Sequence, residues 1–255
     1  MMTTTSMGRV QLGKIAVDRH TRESAVSAIG DMVLAKRGGK VFTPNLDHIL
    51  LAERRESFRS AYEVVDLSLV DGMPLVWASH WFGQALPERI SGSDLVDPVA
   101  KMAGERGWRV YLLGGGPGTA EEAGRRLAAK YHVEIAGVSA PRVAADGTME
   151  DEHVLADVVS TAPDLVLVGL GSPKQEYWID RYAAALAPAV MIGVGASLDF
   201  QAGRVRRAPR WIGRIGFEWL FRLVLEPRRL WRRYLVDGPQ ALAALARTPR
   251  QRPTA

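Results

Sequence analysis

The 255-residue sequence contains no cysteine. This absence excludes disulfide bonds, thiolate catalysis and the zinc or iron–sulfur sites that need Cys ligands. Long apolar runs are also missing, because no stretch reaches the roughly 18 residues that a membrane-spanning helix needs. The first eight residues have no basic segment followed by an apolar stretch, so we expect no signal peptide. These absences are compatible with a cytoplasmic protein.

Several catalytic signatures are missing too. The sequence has no G-x-x-x-x-G-K-[ST] phosphate loop, no G-x-S-x-G nucleophile turn and no Asp-x-Asp pair that could bind a metal–diphosphate. Its five His residues show no metal-ligand spacing. We therefore predict no metal site. If a nucleotide sugar binds, helix N-termini and Arg side chains must neutralise its diphosphate.

The residues that are present indicate a parallel α/β protein. Apolar residues make up 47% of the chain, and short apolar runs alternate with segments of helical period. This alternation is typical of a parallel sheet covered on both faces. The predicted strands are residues 10–17, 40–43, 64–70, 108–113, 133–138, 164–168 and 189–194, and one amphipathic helix is expected from Asp47 through Phe58.

The predicted fold is an α/β fold, with a Rossmann-like, mostly parallel sheet and helices on both faces. We place this core in residues 1–203 and a basic, helical C-terminal appendage in residues 204–248. Residues 249–255 are expected to form a disordered tail. Ligands of such sheets bind at the carboxyl ends of the strands.

The stretch from Asp164 to Glu176 is the most informative part of the sequence. A short apolar strand is followed by Gly169 and Gly171, and a helix then begins, with Ser172 as the expected N-cap. Free N–H groups and the helix dipole would then favour a phosphate at this edge. Lys174, Gln175 and Glu176 form a polar cluster that suits a ligand better than a core. An ordinary strand-to-helix connection explains the same glycines equally well.

Asp71 follows a predicted strand directly and is a candidate general base. A base at this place needs partial removal from water, whereas Asp-Gly also occurs where Asp simply satisfies turn amides. Thr43 and Asn45 flank a proline and could both face one ligand as hydrogen-bond donors. The alternative is that Asn45 or Asp47 caps the next helix.

Two further loops are candidate binding sites. Arg89 and Asp94 bracket a Gly-Ser segment, where Arg can bind a diphosphate with two hydrogen bonds and Asp94 can instead cap a helix. Residues 114–118 resemble a dinucleotide loop but lack the complete G-x-G-x-x-G pattern and the acidic residue that should follow it. A Rossmann-like, nucleotide-binding oxidoreductase that uses the loop from Gly114 to Gly118 is therefore the alternative enzyme class.

The C-terminal part is strongly basic. Between residues 204 and 233 there are ten Arg residues, which alternate with Trp and Phe, against two Glu residues. Such a segment suits an anionic membrane surface. The same composition also suits nucleic acid or a structural cap with a solvated face, so these alternatives remain open at this stage.

The combined motifs resemble the WecG/TagA/CpsF family of bacterial glycosyltransferases, and the resemblance covers residues 10–236. The motifs that carry it are Thr43-Pro44-Asn45, Asp71-Gly72, Arg89-x-Ser-Gly-x-Asp94, Gly169-x-Gly-Ser-Pro-Lys-Gln-Glu176, Gly193-Val-Gly-Ala196, Asp199-Phe200, Ala202-Gly203, Arg207-Ala-Pro-x-Trp211, Glu218-Trp219, Arg222, Glu226-Pro227 and Arg232-Arg233-Tyr234.

The resemblance implies an inverting transferase that moves a hexose, N-acetylmannosamine or a related sugar, from a UDP-sugar to a polyprenyl-diphosphate-linked sugar. It also implies peripheral binding to an anionic membrane surface on the cytoplasmic face, with no cofactor beyond the UDP-sugar co-substrate and no nucleic acid partner. A homo-oligomer is compatible with the sequence. We further expect that removing residues 204–255 abolishes turnover of the lipid acceptor but leaves a folded core.

The resemblance also implies residue roles. Asp71 and Thr43 are the expected catalytic residues, and Asp71 is the base that deprotonates the acceptor hydroxyl. The expected substrate-binding residues are Asn45, Arg89, Asp94, Gly114, Gly115, Gly169, Gly171, Lys174, Gln175, Glu176, Gly195, Asp199, Arg207, Arg214, Arg222, Arg229, Arg232 and Arg233.

Overall fold

The structure is a computed structural model that describes residues 8–150, 153–205, 218–225 and 227–248. It begins with an antiparallel hairpin of β1 (Arg9–Leu12) and β2 (Ile15–Asp18). The prediction of one strand over residues 10–17 is therefore wrong. Gly13 has a φ of +59° and forms a two-residue turn with Lys14, which reverses the chain.

The remaining strands form one parallel sheet. They are β3 (Gly39–Phe42), β4 (Leu67–Ser68), β5 (Arg109–Gly114), β6 (Glu134–Ser139), β7 (Leu165–Gly169) and β8 (Val190–Gly193). Their order is β4-β3-β8-β7-β5-β6, and every neighbouring pair is parallel. The predicted α/β class with a mostly parallel sheet is confirmed.

Helices cover both faces of the sheet. They are α1 (Arg22–Ala35), α2 (Leu46–Arg54), α3 (Glu56–Glu63), α4 (Met73–Trp81), α5 (Gly92–Arg106), α6 (Thr119–Tyr131), α7 (His153–Ser160), α8 (Lys174–Leu186) and α9 (Ser197–Gln201). Alternate residues of a strand face opposite sides. In β5, Val110 and Leu112 pack with α1, α5 and α6, whereas Tyr111 and Leu113 pack with α2, α3 and α8.

Two predicted elements differ from the structure. The helix expected from Asp47 through Phe58 is broken at Arg55, whose backbone is extended, and this break allows Phe58 of α3 to stack on His48 of α2 at a ring distance of 5.6 Å. The strand predicted over residues 64–70 has only two ladder residues, although Leu69 N–H still donates to Phe42 O.

The C-terminal helices are α10 (Glu218–Leu225), α11 (Pro227–Trp231), a π-helical segment (Arg232–Asp237) and α12 (Gly238–Ala246). Helix α12 packs on α2, and its Ala244 and Leu245 belong to the core. Gly13 N–H also donates to Thr248 Oγ1 at 2.7 Å. The end of the predicted appendage is thus joined to the core, while the predicted boundary at residue 203 stays a prediction.

Within the described ranges, no helix combines the length and the apolar character needed to cross a bilayer. The predicted tail, residues 249–255, lies outside the described residues.

Candidate active site

The candidate site residues gather at one edge of the sheet. Because all six strands are parallel, their carboxyl ends lie on the same side. Along that edge, the segments after β4, β3, β8, β7 and β5 follow one another in space. They carry, in the same order, Asp71, then Thr43 and Asn45, then Gly195, then Gly171, and then Gly115.

The crevice of this edge lies between β5 and β7. The chain leaves β5 toward α6 on one face and leaves β7 toward α8 on the other, so the two connections diverge. Gly115 N–H donates to Gly169 O at 3.0 Å. A Cβ on Gly114 would lie 2.6 Å from the Gly169 carbonyl, so this close approach requires glycine. The structure therefore brings the two predicted glycine turns together.

Helix α6 begins at one wall of this crevice. A Cβ on Gly118 would lie 3.0 Å from Arg204 Nη2, so the exposed Arg204 guanidinium lies against the glycine turn. Buried Thr119 has its Oγ1 atom 3.5 Å from Asp199 Oδ1. The structure thus places Asp199 beside the start of α6. Sequence analysis did not single out Arg204 as a site residue, although it is the first Arg of the basic segment.

Asp71 lies at the other end of the edge, next to Arg89. Arg89 Nη1 is 3.7 Å from Asp71 Oδ1, and Arg89 Nη2 donates to Asp94 Oδ2 at 3.2 Å. The Asp71 side chain is 29% exposed, against 11% for Asp94. Asp94 also accepts hydrogen bonds from Ser91 in a capping box at the start of α5. Helix capping, one of the two roles considered for Asp94, is thus observed.

Thr43 and Asn45 occupy the segment between β3 and α2. Thr43 is buried and donates from its Oγ1 to Gly193 O at 3.2 Å, which ties this segment to the end of β8. Asn45 is the N-cap of α2, and its Oδ1 accepts from Asp47 N–H at 3.0 Å. The capping alternative for Asn45 is therefore observed. Asp71 N–H donates to Pro44 O at 2.7 Å and holds Asp71 beside this segment.

The expectation that Gln175 and Glu176 suit a ligand better than a core is wrong, because both side chains are buried. Glu176 has 0% exposure, so no ligand can touch its carboxylate in this structure. Pro173, rather than Ser172, occupies the N-cap position of α8, and no side chain caps the helix. The half-exposed Lys174 is the residue of the cluster that has access to the crevice.

A polar network surrounds Glu176. Its Oε1 accepts from Gln175 Nε2 at 2.7 Å and lies 3.4 Å from His48 Nε2. Burial raises the pKa of Glu176, but the nearby His48 and the hydrogen bond from Gln175 outweigh burial and hold the pKa below its ordinary value. Burial and the charge of Glu176 raise the pKa of Tyr62 well above its ordinary value.

Sequence analysis missed His48, because the five His residues were considered only as metal ligands. The signal that could have found it is its position three residues after Asn45, which is the spacing of a capping box. The ring accepts a hydrogen bond from Asn45 N–H at its Nδ1, 2.9 Å away.

Most of the predicted Arg ligands of the C-terminal part cannot be placed. Arg207 and Arg214 lie outside the described residues, as do the side chains of Arg222, Arg229 and Arg233. Arg232 is exposed. No group of three or more His, Asp or Glu residues that could hold a metal ion occurs in the part of the chain that the structure describes. The absence of a metal requirement stays a prediction.

Comparisons with known proteins address the class of enzyme. The sequence model of the family described as "Glycosyl transferase WecG/TagA/CpsF family" matches residues 10–255. A protein of Bacillus spizizenii named N-acetylglucosaminyldiphosphoundecaprenol N-acetyl-beta-D-mannosaminyltransferase is 33% identical over 201 residues, which is 78% of this chain and 76% of the relative. A protein of Bacillus subtilis with the same name is 32% identical over 212 residues, 82% of this chain and 80% of the relative.

Nothing in these comparisons supports the oxidoreductase alternative. The parallel sheet, the paired glycine turns and the match over nearly the whole length lead to one assignment. The chain belongs to the WecG/TagA/CpsF family of glycosyltransferases.

Proposed function

We propose that this chain transfers a hexose of the N-acetylmannosamine type from a UDP-sugar to a sugar carried on polyprenyl diphosphate. Two relatives are named for the transfer of N-acetyl-beta-D-mannosamine to N-acetylglucosaminyldiphosphoundecaprenol. The structural observation that carries the proposal is the placement of Asp71 on the same sheet edge as the glycine turns that follow β5 and β7. A base and a phosphate-binding crevice on one edge suit direct transfer between two bound substrates.

The reaction is a single displacement. The Asp71 carboxylate takes the proton of the acceptor hydroxyl, and that oxygen forms a bond to the anomeric carbon of the donor. The bond from the anomeric carbon to the UDP oxygen breaks on the opposite side, and its electron pair leaves with UDP. Attack opposite the leaving group inverts the anomeric configuration.

Departure of UDP requires stabilisation of its diphosphate. The start of α6 offers backbone N–H groups, because Gly118 is its N-cap and no side chain caps the helix. Arg204 lies against the same turn and adds a positive charge. Lys174 begins α8 on the other side of the crevice. These groups supply positive potential where charge develops, without a metal ion.

The lipid acceptor requires contact with a membrane surface, and this proposal places the chain on its cytoplasmic side as a peripheral protein. Helix α4, which begins two residues after Asp71, exposes Trp77 and Trp81 one turn apart. The C-terminal helices expose Trp231 and Leu235 close to the charged Arg232. Indole rings favour the headgroup region of a bilayer, and Arg favours anionic lipids.

The test is a transfer assay with purified full-length chain. The acceptor is an N-acetylglucosaminyl diphosphate on a short polyprenol, and the donors are UDP-N-acetylmannosamine, UDP-N-acetylglucosamine and UDP-glucose. We expect a disaccharide product and stoichiometric UDP with one of these donors, with a β-linkage detected by NMR. We also expect the rate to be unchanged by EDTA.

Thermal stabilisation gives an independent check of the donor. A ligand that binds only the native state at about 100 times its Kd adds roughly 2.7 kcal/mol of stability. UDP should therefore raise Tm, and NAD or NADP should not. A shift with NAD or NADP but none with UDP, together with no transfer to any acceptor, would overturn the proposed function.

A further inference from the structure

A series of buried polar contacts joins the segment after β3 to the segment after β8. Asn45 N–H donates to His48 Nδ1 at 2.9 Å, and His48 Nε2 lies 3.4 Å from Glu176 Oε1. Gln175 Nε2 donates to the same Glu176 oxygen at 2.7 Å, and Gly195 N–H donates to Gln175 Oε1 at 2.9 Å. His48, Gln175 and Glu176 are all buried. These contacts therefore run through the interior from one site segment to another.

The hydrogen bond between Asn45 and His48 has a fixed donor and a fixed acceptor. A backbone N–H can only donate, so His48 Nδ1 is the acceptor for Asn45 N–H. The other ring nitrogen, Nε2, lies against the Glu176 carboxylate. Glu176 Oε1 also accepts from Gln175 Nε2 and is the atom at which the network converges.

Packing alone does not account for a fully buried carboxylate beside an imidazole. Removing a carboxylate from water costs free energy, and an apolar side chain of similar size would fill the space without that cost. The His48 ring already packs against Phe58 at a ring distance of 5.6 Å and against Tyr62 at 6.2 Å. Packing therefore explains an aromatic ring at position 48 but not the polar atoms that connect it to Glu176.

We infer that His48 and Glu176 are positioning residues, which hold the Asn45 and Gly195 segments in fixed relative positions at the sheet edge. The inference rests on the proposed function, since it gives these segments a role in sugar transfer. Neither residue touches substrate, because both side chains are buried. Thr43 lies within the first segment and bonds Gly193 at the start of the second, so a loosened network displaces an expected catalytic residue as well.

The decisive experiment compares His48→Phe with the double variant His48→Phe/Glu176→Met. The single variant leaves the buried carboxylate without the imidazole, so we expect a lower Tm. The double variant removes the unpaired carboxylate as well, so Tm should rise above that of the single variant. If the pair serves packing alone, turnover must return along with Tm.

A positioning role predicts a different result. In the double variant, kcat should stay about tenfold to hundredfold below that of the unmodified chain, because small misplacements of site groups cost rates of this order. Amide hydrogen exchange at Asn45 and Gly195 should be faster in the same variant. Glu176→Gln retains an acceptor oxygen for Gln175 and should keep both the slow exchange and kcat within about threefold of the unmodified values.

A second variant, Gln175→Met, covers the case in which the double variant does not fold. It removes the acceptor for Gly195 N–H and leaves the acceptor of Asn45 N–H in place. Exchange should therefore accelerate at Gly195 and stay slow at Asn45. A double variant with normal turnover and normal exchange would overturn the inference, as would slow exchange at Gly195 in Gln175→Met.

Amide exchange and Tm need no substrate, so they test the network independently of the reaction. If the unmodified chain transfers no sugar from any donor, the proposed function fails while the exchange results still decide whether the network holds the two segments. Normal transfer combined with unaltered exchange in the variants would instead reject the network and leave the proposed function intact.

Discussion

Asp71 carries the more exposed of the two carboxylates that flank Arg89, with 29% side-chain exposure against 11% for Asp94. We expect Asp71→Asn to lower kcat by about 10² to 10⁴, the usual contribution of a general base. Thermal stabilisation by UDP should be unchanged, because the proposed diphosphate site lies at α6. Initial rates and thermal shifts measured on the same preparations check both expectations.

The matched control for that change is Asp146→Asn, an identical chemical change at an exposed loop position. It should leave kcat within about twofold, as expected for an exposed surface change at a residue outside the candidate site. A full rate in Asp71→Asn, or an equal loss in Asp146→Asn, would remove Asp71 from the proposed mechanism.

Asp97 gives a prediction of pH dependence. Its Oδ1 accepts from Lys130 at 2.8 Å and Tyr131 at 2.5 Å, and its Oδ2 accepts from Gln201 at 2.9 Å. Partial burial raises the pKa of Asp97, but these three hydrogen bonds lower it by a larger amount. The net pKa is therefore below the ordinary value. A depressed folded-state pKa stabilises the protein above the unfolded pKa, and this stabilisation disappears as pH falls through the folded pKa.

We therefore expect Asp97→Asn to reduce the free energy of unfolding at about pH 7 by about 1–2 kcal/mol, because hydrogen bonds to a charged acceptor are lost. Below about pH 4 the unmodified chain should lose this advantage and the two curves should converge. Urea denaturation at several pH values measures the difference. A constant difference across the whole pH range would contradict the assigned cause.

At the residue scale, the sequence identified which residue types gather at the edge but not which of them face solvent. Asp71 comes soon after a strand in the sequence, and this order alone predicts its place at the carboxyl edge of the sheet. The burial of Glu176 depends on His48, which is 128 positions away in sequence and reaches it only when α2 and α8 lie on the same sheet face. Such a contact has no local signature, so the polar cluster at residues 174–176 suggested a ligand instead of an internal network.

Helix α4 is the element that connects the proposed base with an exposed aromatic surface. Trp81 is 73% exposed and Trp77 lies one turn before it. We expect Trp77→Ser/Trp81→Ser to weaken binding to anionic lipid vesicles by about tenfold or more, since each lost aromatic burial costs more than 1.4 kcal/mol. Vesicle sedimentation with vesicles that contain phosphatidylglycerol measures this change.

Leu34→Ser is the matched control, because Leu34 is an exposed apolar residue on α1, which covers the opposite core cluster. This variant should bind vesicles normally. Turnover of a water-soluble short-chain acceptor should be unaffected in the Trp variant. Equal vesicle binding by all three proteins would assign the membrane contact to another part of the chain.

At the element scale, apolar periodicity located every strand of the main sheet to within a few residues, since buried parallel strands are continuous apolar runs. The hairpin turn at Gly13 was missed although the sequence carries a signal for it. Val10 and Leu12 alternate in one phase, Ile15 and Val17 alternate in the other, and Gly13 and Lys14 lie between the two runs. Neither Pro nor Gly lies near Arg55, so the sequence has no local signal for the helix break. There the packing of Phe58 on His48, across the break, overrides local helix propensity.

The last described helix, α12, contributes side chains to the core of the molecule. Leu245 of α12 is 2% exposed within the core, whereas Leu242 of the same helix is 49% exposed. We expect Leu245→Ala to lower the free energy of unfolding by about 2–5 kcal/mol, as for other buried leucines. Leu242→Ala should change it by less than about 0.5 kcal/mol, and urea denaturation of both variants makes the comparison.

This packing modifies the expectation for deletion of residues 204–255. The deletion removes Ala244 and Leu245 from the core, and it also removes Asp237, which pairs with Arg54 at 3.2 Å. We therefore expect the shortened chain to have a clearly lower Tm as well as no turnover of lipid acceptor. A shortened chain with full stability would show that α12 contributes nothing to the core.

At the scale of the molecule, the sequence predicted the parallel sheet and the edge where the strand carboxyl ends gather, because alternation and strand polarity determine both. The place of α12 was not predictable in the same way. Its residues are mostly Ala and Leu, and such a composition does not distinguish a helix that packs on α2 from one that faces a membrane.

The hydrogen bond from Gly13 N–H to Thr248 Oγ1 joins the β1–β2 turn to the last residue of the described chain. Circular permutation is tolerated when the elements to be linked lie close together and the new ends fall in an exposed loop. Residues 144–146 form such a loop, and all three are exposed. A permuted gene that starts there, with a short Gly-Ser linker across the old ends, would join β1 and α12 by a covalent connection. The contact between the first and final elements, which now spans most of the sequence, would become local, and refolding should be faster.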